Sequence, residues 1–242
     1  MEIRIFQKGF NYSQDGPGNR LVYHLQGCNL RCPWCSNPEG LNFSGGKVLD
    51  IQEVVQQICS SRMMFFDGGG VTFTGGEVTM QFDALKEVLT LLKQENIHTC
   101  IETNGCHVRL PELFALVDHL IMDCKHHNPK IHQAVTGAPC ALTHQNLRLA
   151  IAAGKQPAVR IPLIGGFNAS IEDAHRFAEL FRTLGLPGHG TLELLRYHEY
   201  GKDKYKALNM DYTMTEAAQV QPATVSEFTR IFTDAGITVI RT

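Results

Sequence analysis

The sequence contains no apolar run close to the roughly 20 residues that a membrane-spanning helix needs. Its first residues, Met1-Glu2-Ile3-Arg4-Ile5, lack the apolar core of a secretory signal. Lysine and arginine (22) nearly balance aspartate and glutamate (24), which leaves a formal net charge of −2. This balance argues against a general nucleic-acid or anionic-membrane binder. We therefore expect a cytoplasmic protein that binds neither nucleic acid nor membrane.

Internal repeats and polar linkers are also missing from the sequence, so nothing indicates a division into several domains. Hydrophobic residues make up 43% of the 242 positions and charged residues 19%. Such a composition allows a substantial core and is not typical of disorder. We predict one domain over residues 1–242.

Eight cysteines are present, but a disulfide framework is typical of short secreted chains, and this chain is neither. Three of them, Cys28, Cys32 and Cys35, have the spacing C-x3-C-x2-C. The others lie singly in apolar or helical stretches, where a cysteine is usually a small buried hydrophobe; they are Cys59, Cys100, Cys106, Cys124 and Cys140.

The trio lacks a fourth soft ligand nearby. Iron–sulfur clusters normally take four cysteines and structural zinc takes four ligands, so three thiolates leave one coordination position open. An open iron can bind and activate another molecule. The alternatives are a zinc loop completed by a distant ligand such as His24, or a chance cluster.

Strand-like and helix-like segments alternate along the chain. The predicted strands cover residues 2–6, 21–25, 70–74, 98–102, 120–123, 158–164, 191–195 and 237–240. The predicted helices cover 82–92, 110–117, 143–153 and 170–184, and two more begin near residues 50 and 224. This alternation predicts an α/β protein whose parallel sheet carries functional groups at the carboxyl ends of its strands. Alternation alone fits both a partial barrel and a flat doubly wound sheet.

The cysteine spacing, with the aromatic Trp34 just before Cys35, resembles the signature of radical S-adenosylmethionine (SAM) enzymes. The resemblance implies a partial (β/α)6 radical SAM barrel. It also implies that the three cysteines hold a [4Fe-4S] cluster whose fourth iron is chelated by SAM.

Thr74-Gly75-Gly76-Glu77 follows a predicted strand. Two glycines let a ligand approach the backbone closely, although an ordinary turn between strand and helix has the same composition. After a C-x3-C-x2-C loop, the segment resembles the family's glycine-rich element, which implies that Gly75, Gly76 and Glu77 contact the amino group of SAM.

Three further sites lie in or directly after other predicted strands. Asp123 and Lys125 resemble an Asp-x-Lys segment that contacts SAM, although the two residues also fit a surface ion pair of little energy. Arg160 needs an anionic partner in its strand, and the resemblance implies the SAM carboxylate. His198 lies in a Tyr-His-Glu motif that resembles the family's adenosine contact, with Arg196 where the family has proline. We expect His126, His127 and His144 to be solvated or satisfied locally.

Two segments resemble the activating enzymes of glycyl radical enzymes within this family. Glu102-Thr103-Asn104-Gly105 matches Asp-Thr-Asn-Gly, whose acidic residue helps to bind a monovalent cation beside SAM. Asp15-Gly16-Pro17-Gly18-Asn19-Arg20 matches Asp-Gly-Pro-Gly-x-Arg, a loop that meets the glycyl loop of the partner enzyme. Only a short segment without cysteine separates Cys35 from Asp50, so we expect no ferredoxin-like insert and a single cluster.

The resemblance implies reductive cleavage of SAM at the cluster to a 5′-deoxyadenosyl radical, which abstracts hydrogen from a glycine of a partner enzyme. No side chain is needed as a general acid or base. A single cluster requires an external electron donor, and we expect flavodoxin or ferredoxin in that role and a monomeric protein. The alternatives are a radical SAM enzyme acting on a small molecule and a non-catalytic module that binds zinc or a cluster.

Overall fold

The computed structural model describes residues 1–241, which divide into two compact units. The first unit contains Met1–Asn29, Asn37–Thr103 and Arg109–Ile121. The second contains Leu30–Ser36, Asn104–Val108 and the described chain from Met122 onward. Each unit is therefore built from segments that are separate in the sequence, and the single domain stays a prediction.

The first unit is a six-stranded sheet with helices. Its elements are β1 (Glu2–Tyr12), β2 (Asn19–Leu25), β3 (Lys47–Asp50), α1 (Ile51–Ser60), β4 (Gly70–Gly75), α2 (Phe82–Gln94), β5 (Thr99–Thr103) and β6 (His119–Asp123), of which β6 ends in the second unit. The strand order is β3-β1-β2-β4-β5-β6. β1 runs antiparallel to β2 and β3, whereas β2, β4 and β5 are parallel.

Hydrophobic patterning explains these elements. Residues 70–74 of β4 are all buried, as expected for a parallel strand covered on both faces. α1 begins at the predicted position, because the Asp50 side chain accepts a hydrogen bond from the Gln52 amide. α2 buries the predicted apolar stripe that includes Leu85, Val88 and Leu92.

The second unit continues the alternation. Its elements are α3 (Pro129–Thr136), α4 (Ala141–Ala152), β7 (Ala158–Leu163), α5 (Ile171–Leu184), β8 (Thr191–Arg196), α6 (Lys202–Ala207), α7 (Pro222–Asp234) and β9 (Thr238–Ile240). β7, β8 and β9 are parallel neighbours in that order. A capping box between Ser170 and Asp173 begins α5, and Gly185, with φ of 85°, ends it.

The predicted α/β fold class, a partial barrel, is confirmed. β3 pairs with β1 and β9 pairs with β8, so each has one strand neighbour within the described chain. The barrel is therefore open. None of the helices in residues 1–241 is long and apolar enough to cross a membrane.

Some sequence predictions of secondary structure were wrong or incomplete. The expected helix over 110–117 is a single 3-10 turn, Leu110–Leu113, with Pro111 in its first turn. α3 was not predicted from the sequence, although Asn128 before Pro129 was a usable signal. The Asn128 side chain accepts hydrogen bonds from the amides of Lys130 and Ile131, and proline suits the first helical position.

Candidate functional site

The cysteine loop begins directly after β2. Cys28 belongs to the first unit, and Cys32 and Cys35 belong to the second. Cys28 and Cys32 are buried and Cys35 is half-buried. The Cys35 amide donates to the Cys32 carbonyl at 3.1 Å, which forms a tight turn between these two residues. No disulfide forms among the eight cysteines of residues 1–241, so all three retain the thiol that metal binding requires.

Residues far along the sequence pack against the second-unit part of this loop. Trp34 packs on the ring of Phe167, with 4.8 Å between ring centroids. Gly201 lies so close to Cys35 that an added Cβ would be 2.3 Å from the Cys35 carbonyl oxygen. Burial and the nearby Cys35 and Cys32 raise the pKa of Tyr205 to about 12, so its phenol is neutral at physiological pH. Neither Gly201 nor Tyr205 was predicted from the sequence as a site residue.

The predicted glycine-rich turn packs against the residue that precedes Cys28. Gly75 has φ of 111°, a conformation that favours glycine. At Gly76 an added Cβ would lie 2.3 Å from the Gly27 carbonyl oxygen and 2.7 Å from that of Gly40. The Glu77 amide donates to the Gly27 carbonyl at 2.8 Å. Both glycines are thus required by the backbone, and the turn adjoins the start of the cysteine loop.

The Glu77 carboxylate is fully buried and organises this turn. Its Oε1 accepts from the Thr79 amide at 3.0 Å, from Thr79 Oγ1 at 2.6 Å and from Thr103 Oγ1 at 2.7 Å. Glu77 and Thr103 therefore join the ends of β4 and β5. On the same strand pair, Thr74 Oγ1 donates to Glu102 Oε2 at 2.8 Å.

Asp123, the last residue of β6, and Lys125 form an ion pair of 2.6 Å. Their side chains are 20% and 12% exposed, so the pair is not a fully solvated surface contact. Arg160 Nε donates to Glu193 Oε2 at 2.8 Å, and both side chains are 7% exposed. The chain itself thus supplies an anionic partner for Arg160, and contact with the SAM carboxylate stays a prediction.

His198 lies between β8 and α6. Its ring stacks on the exposed Tyr200 ring at a centroid distance of 4.0 Å, and the Tyr200 amide donates to His198 Nδ1 at 3.4 Å. Burial lowers the pKa of His198, which favours the neutral imidazole. The motif therefore presents a neutral, partly covered ring.

His126 and His127 were expected to be solvated or satisfied locally. His126 is fully buried, and its Nδ1 accepts from the Asn128 amide at 2.9 Å, so its Nε2 donates to the Phe167 carbonyl at 3.1 Å. His127 Nε2 lies 2.9 Å from Asp173 Oδ1. Ligand atoms of His126, His127 and Asp173 lie within 4.8 Å of one another. Because both ring nitrogens of His126 are hydrogen-bonded, His126 is satisfied locally rather than poised to bind a metal.

The Asp15–Gly18 turn joins β1 to β2. Asn11 Nδ2 donates to Asp15 Oδ2 at 2.5 Å. Gly18 has φ of 67°, and an added Cβ there would lie 2.3 Å from the Phe66 carbonyl oxygen. The turn therefore requires glycine and is closely packed.

Three cysteine thiols on one loop, which begins beside a glycine-rich turn, are the donor set expected of an iron–sulfur protein whose cluster has one iron left for another ligand. The family model described as the Radical SAM superfamily matches residues 22–181. The chain belongs to the radical SAM superfamily. A [4Fe-4S] cluster and SAM are the cofactors that this membership implies, and the three cysteine thiols fit the cluster, because cysteine thiolates are the ligands that iron–sulfur clusters take.

Curated relatives are similar along most of their length. Pyruvate formate-lyase 1-activating enzyme of Escherichia coli K12 is 34% identical over 208 residues, which cover 83% of this chain and 82% of that protein. Pyruvate formate-lyase-activating enzyme of Clostridium pasteurianum is 34% identical over 205 residues, which cover 84% of this chain and 85% of that protein.

Two solved structures have the same fold. A domain of pyruvate-formate lyase-activating enzyme from Bacteroides vulgatus has a TM-score of 0.58 and 26% identity, covering 72% of this chain and 98% of that one. A radical SAM methyltransferase from Sphaerobacter thermophilus has a TM-score of 0.65 at 17% identity, and the match covers 99% of this chain and 76% of that one. The second likeness concerns the fold alone.

Proposed function

We propose that this radical SAM enzyme activates a glycyl radical enzyme by removing a hydrogen atom from a glycine of that partner. The observation that carries the proposal is the similarity to enzymes named for activating pyruvate formate-lyase, which covers more than four fifths of both chains. The Asp15–Gly18 turn is the second support, since it resembles the partner-binding loop of the activating enzymes.

In this proposal Cys28, Cys32 and Cys35 hold the cluster. When bound, the cluster supplies the electron that cleaves SAM to the 5′-deoxyadenosyl radical. The protein binds and orients SAM and keeps water from it. The side chains and glycines that we assign to SAM binding are Trp34, Gly75, Gly76, Glu77, Thr103, Asp123, Lys125, Arg160 and His198.

Glu102 is our candidate for a monovalent cation site beside SAM. Its carboxylate is half-buried and accepts a hydrogen bond from Thr74 Oγ1. Carboxylate oxygens are the ligands that hard cations prefer. The longer side chain of glutamate extends these oxygens further from the strand than an aspartate would.

A protein substrate fits the surface next to the Asp15–Gly18 turn better than a small molecule does. Tyr12, Met64 and Phe66 are each about half exposed, and the Tyr12 ring stacks on the Phe66 ring at 6.0 Å. Exposed apolar side chains grouped in this way are typical of surfaces that contact other proteins. We further propose a cytoplasmic monomer that receives its electron from flavodoxin or ferredoxin.

The test is anaerobic reconstitution with iron and sulfide, followed by reduction and addition of SAM. The partner would be Escherichia coli pyruvate formate-lyase carrying deuterated glycine. We expect deuterium in 5′-deoxyadenosine and a glycyl radical signal by electron paramagnetic resonance. Cys32→Ala should abolish both, whereas Cys59→Ala, a half-buried cysteine of α1, should retain them.

Two results would contradict the proposal. Formation of 5′-deoxyadenosine with neither deuterium nor a glycyl radical would favour the small-molecule alternative. Stoichiometric zinc in place of iron would favour a binding module.

A further inference from the structure

Arg20 is a fully buried charged residue to which the proposed function assigns no role. Its guanidinium donates from Nε to Thr72 Oγ1 at 2.6 Å, from Nη2 to the Val71 carbonyl at 2.6 Å and from Nη1 to the Pro17 carbonyl at 3.0 Å. Its Nη1 also lies 3.2 Å from His98 Nδ1. A guanidinium has no atom that accepts a hydrogen bond, so His98 Nδ1 is the acceptor here. The His98 imidazole is therefore neutral.

None of these acceptors is a carboxylate. Burying a cation is costly, and burial lowers the pKa of Arg20, although the nearby Cys100, Asp118 and Asp15 act in the opposite direction. An apolar side chain would fill the same core position without that cost. An arginine at position 20 is therefore explained by the several hydrogen bonds that a guanidinium donates in different directions.

Two of the hydrogen bonds of the Arg20 guanidinium lead to the Asp15–Gly18 turn. Pro17 is held directly through its carbonyl. Asp15 is held through Thr72, whose hydroxyl accepts from Arg20 Nε and donates to the Asp15 carbonyl at 2.6 Å. Gly16 packs on the same side chain, since an added Cβ would lie 3.2 Å from Arg20 Cδ.

The opposite side of the guanidinium is anchored in the sheet. Val71 belongs to β4, and His98 directly precedes β5. The guanidinium thus joins the turn to two neighbouring strands of the first unit. Thr72 completes the connection, because its single hydroxyl links Arg20 to the Asp15 backbone.

We propose that Arg20, assisted by Thr72, is a positioning residue that holds the Asp15–Gly18 turn in the conformation that binds the glycine-bearing segment of the partner enzyme. Arg20 acts through the backbone of the turn and does not itself touch the partner. The inference rests on the proposed function for the identity of the partner, whereas the rigidity of the turn is testable without one.

The first experiment measures hydrogen–deuterium exchange in the reconstituted enzyme, in peptides covering residues 13–19. We expect Arg20→Gln and Thr72→Val to speed exchange there by at least about tenfold, because the turn opens locally. Thr72→Ser keeps the hydroxyl and should exchange like wild type. Leu89→Ala, in the buried face of α2, is the control for a general loss of stability.

Equal exchange of residues 13–19 in Arg20→Gln, Thr72→Val and Leu89→Ala would overturn the proposal. If Arg20→Gln does not fold, the pair Thr72→Val and Thr72→Ser decides the question alone.

The second experiment measures two quantities. One is the KM for pyruvate formate-lyase, and the other is the rate of SAM cleavage in the absence of a partner. We expect Arg20→Gln and Thr72→Val to raise this KM at least about tenfold, while partner-independent formation of 5′-deoxyadenosine stays within about twofold of wild type. A KM change no larger than that of Leu89→Ala would refute the positioning role. Absence of hydrogen transfer in wild type would instead refute the proposed function and leave the exchange result standing.

Discussion

At the scale of single residues, Arg160 combines a structural contact with a proposed binding role. Arg160 and Glu193 are register partners on β7 and β8, and their side chains form a buried ion pair of 2.8 Å. A buried pair contributes little net stability relative to apolar residues, but removing one partner leaves the other charge buried without compensation. The two roles of Arg160 can therefore be separated by mutation.

We expect Arg160→Gln to lower the free energy of unfolding by about 3 to 5 kcal/mol, because Glu193 loses its cationic partner. The double variant Arg160→Met with Glu193→Leu should recover most of this loss, because neither charge remains. Urea unfolding of the purified protein measures both values.

The double variant also tests the binding role. If Arg160 binds the SAM carboxylate, this folded variant loses affinity for SAM in equilibrium dialysis of the reconstituted enzyme. Arg176→Gln, an exposed arginine of α5, is the matched control. Wild-type SAM affinity in the double variant would exclude Arg160 from the SAM site.

At the scale of elements, the connection from β8 to α6 brings Gly201 close to the backbone of Cys35. Gly201 precedes α6 and accepts from the Tyr205 amide at 3.0 Å. Its φ of −78° is accessible to any residue, so the requirement for glycine is steric and not conformational. The nearby atom is the carbonyl oxygen of Cys35, a backbone group that cannot rotate away.

We predict that Gly201→Ala displaces the Cys35 backbone and reduces the iron content after reconstitution at least about threefold. Gly9→Ala in β1 is the control, because nothing lies within 4 Å of its added Cβ. Iron and acid-labile sulfide assays, with the absorbance near 400 nm, measure the effect. Iron content equal to that of Gly9→Ala would show that the loop tolerates the extra carbon.

At the scale of the whole molecule, several histidines are held neutral by burial. Burial is the largest cause that lowers the pKa of His98, His126, His132, His144 and His198, and for His126 the value falls to about 4. In the unfolded chain these groups have the ordinary pKa of about 6.5. Below pH 6.5 the unfolded state therefore binds more protons than the folded state, and acid favours unfolding.

We predict that the contribution of these histidines to the free energy of unfolding does not change with pH above about pH 7. It should decrease as the pH falls from 6.5 towards 4. Each histidine contributes a slope of at most about 1.4 kcal/mol per pH unit. Urea unfolding at pH 7.5, 6.5 and 5.5 measures the decrease. His126→Gln should reduce the slope, and a slope equal to that of the wild type would contradict the assignment to His126.

Several properties of this protein follow from the sequence alone. The spacing of Cys28, Cys32 and Cys35 predicted the radical SAM family, and the alternation of strands and helices predicted the α/β partial barrel. These signals are readable because each depends on residues a few positions apart, such as ligands on one loop or apolar residues on one helical face. The helix over 110–117 was predicted from its apolar pattern, and only the 3-10 turn Leu110–Leu113 forms there.

Only the tertiary structure decided which distant residues meet. Glu193 is the partner of Arg160 across 33 residues, and Thr72 is the partner of Arg20 across 52. Gly201 reaches the Cys35 carbonyl, and Thr103 reaches the Glu77 carboxylate. The physical reason is that strand order and register bring these groups together, and the local pattern of a strand records which face is buried but not which strand lies beside it.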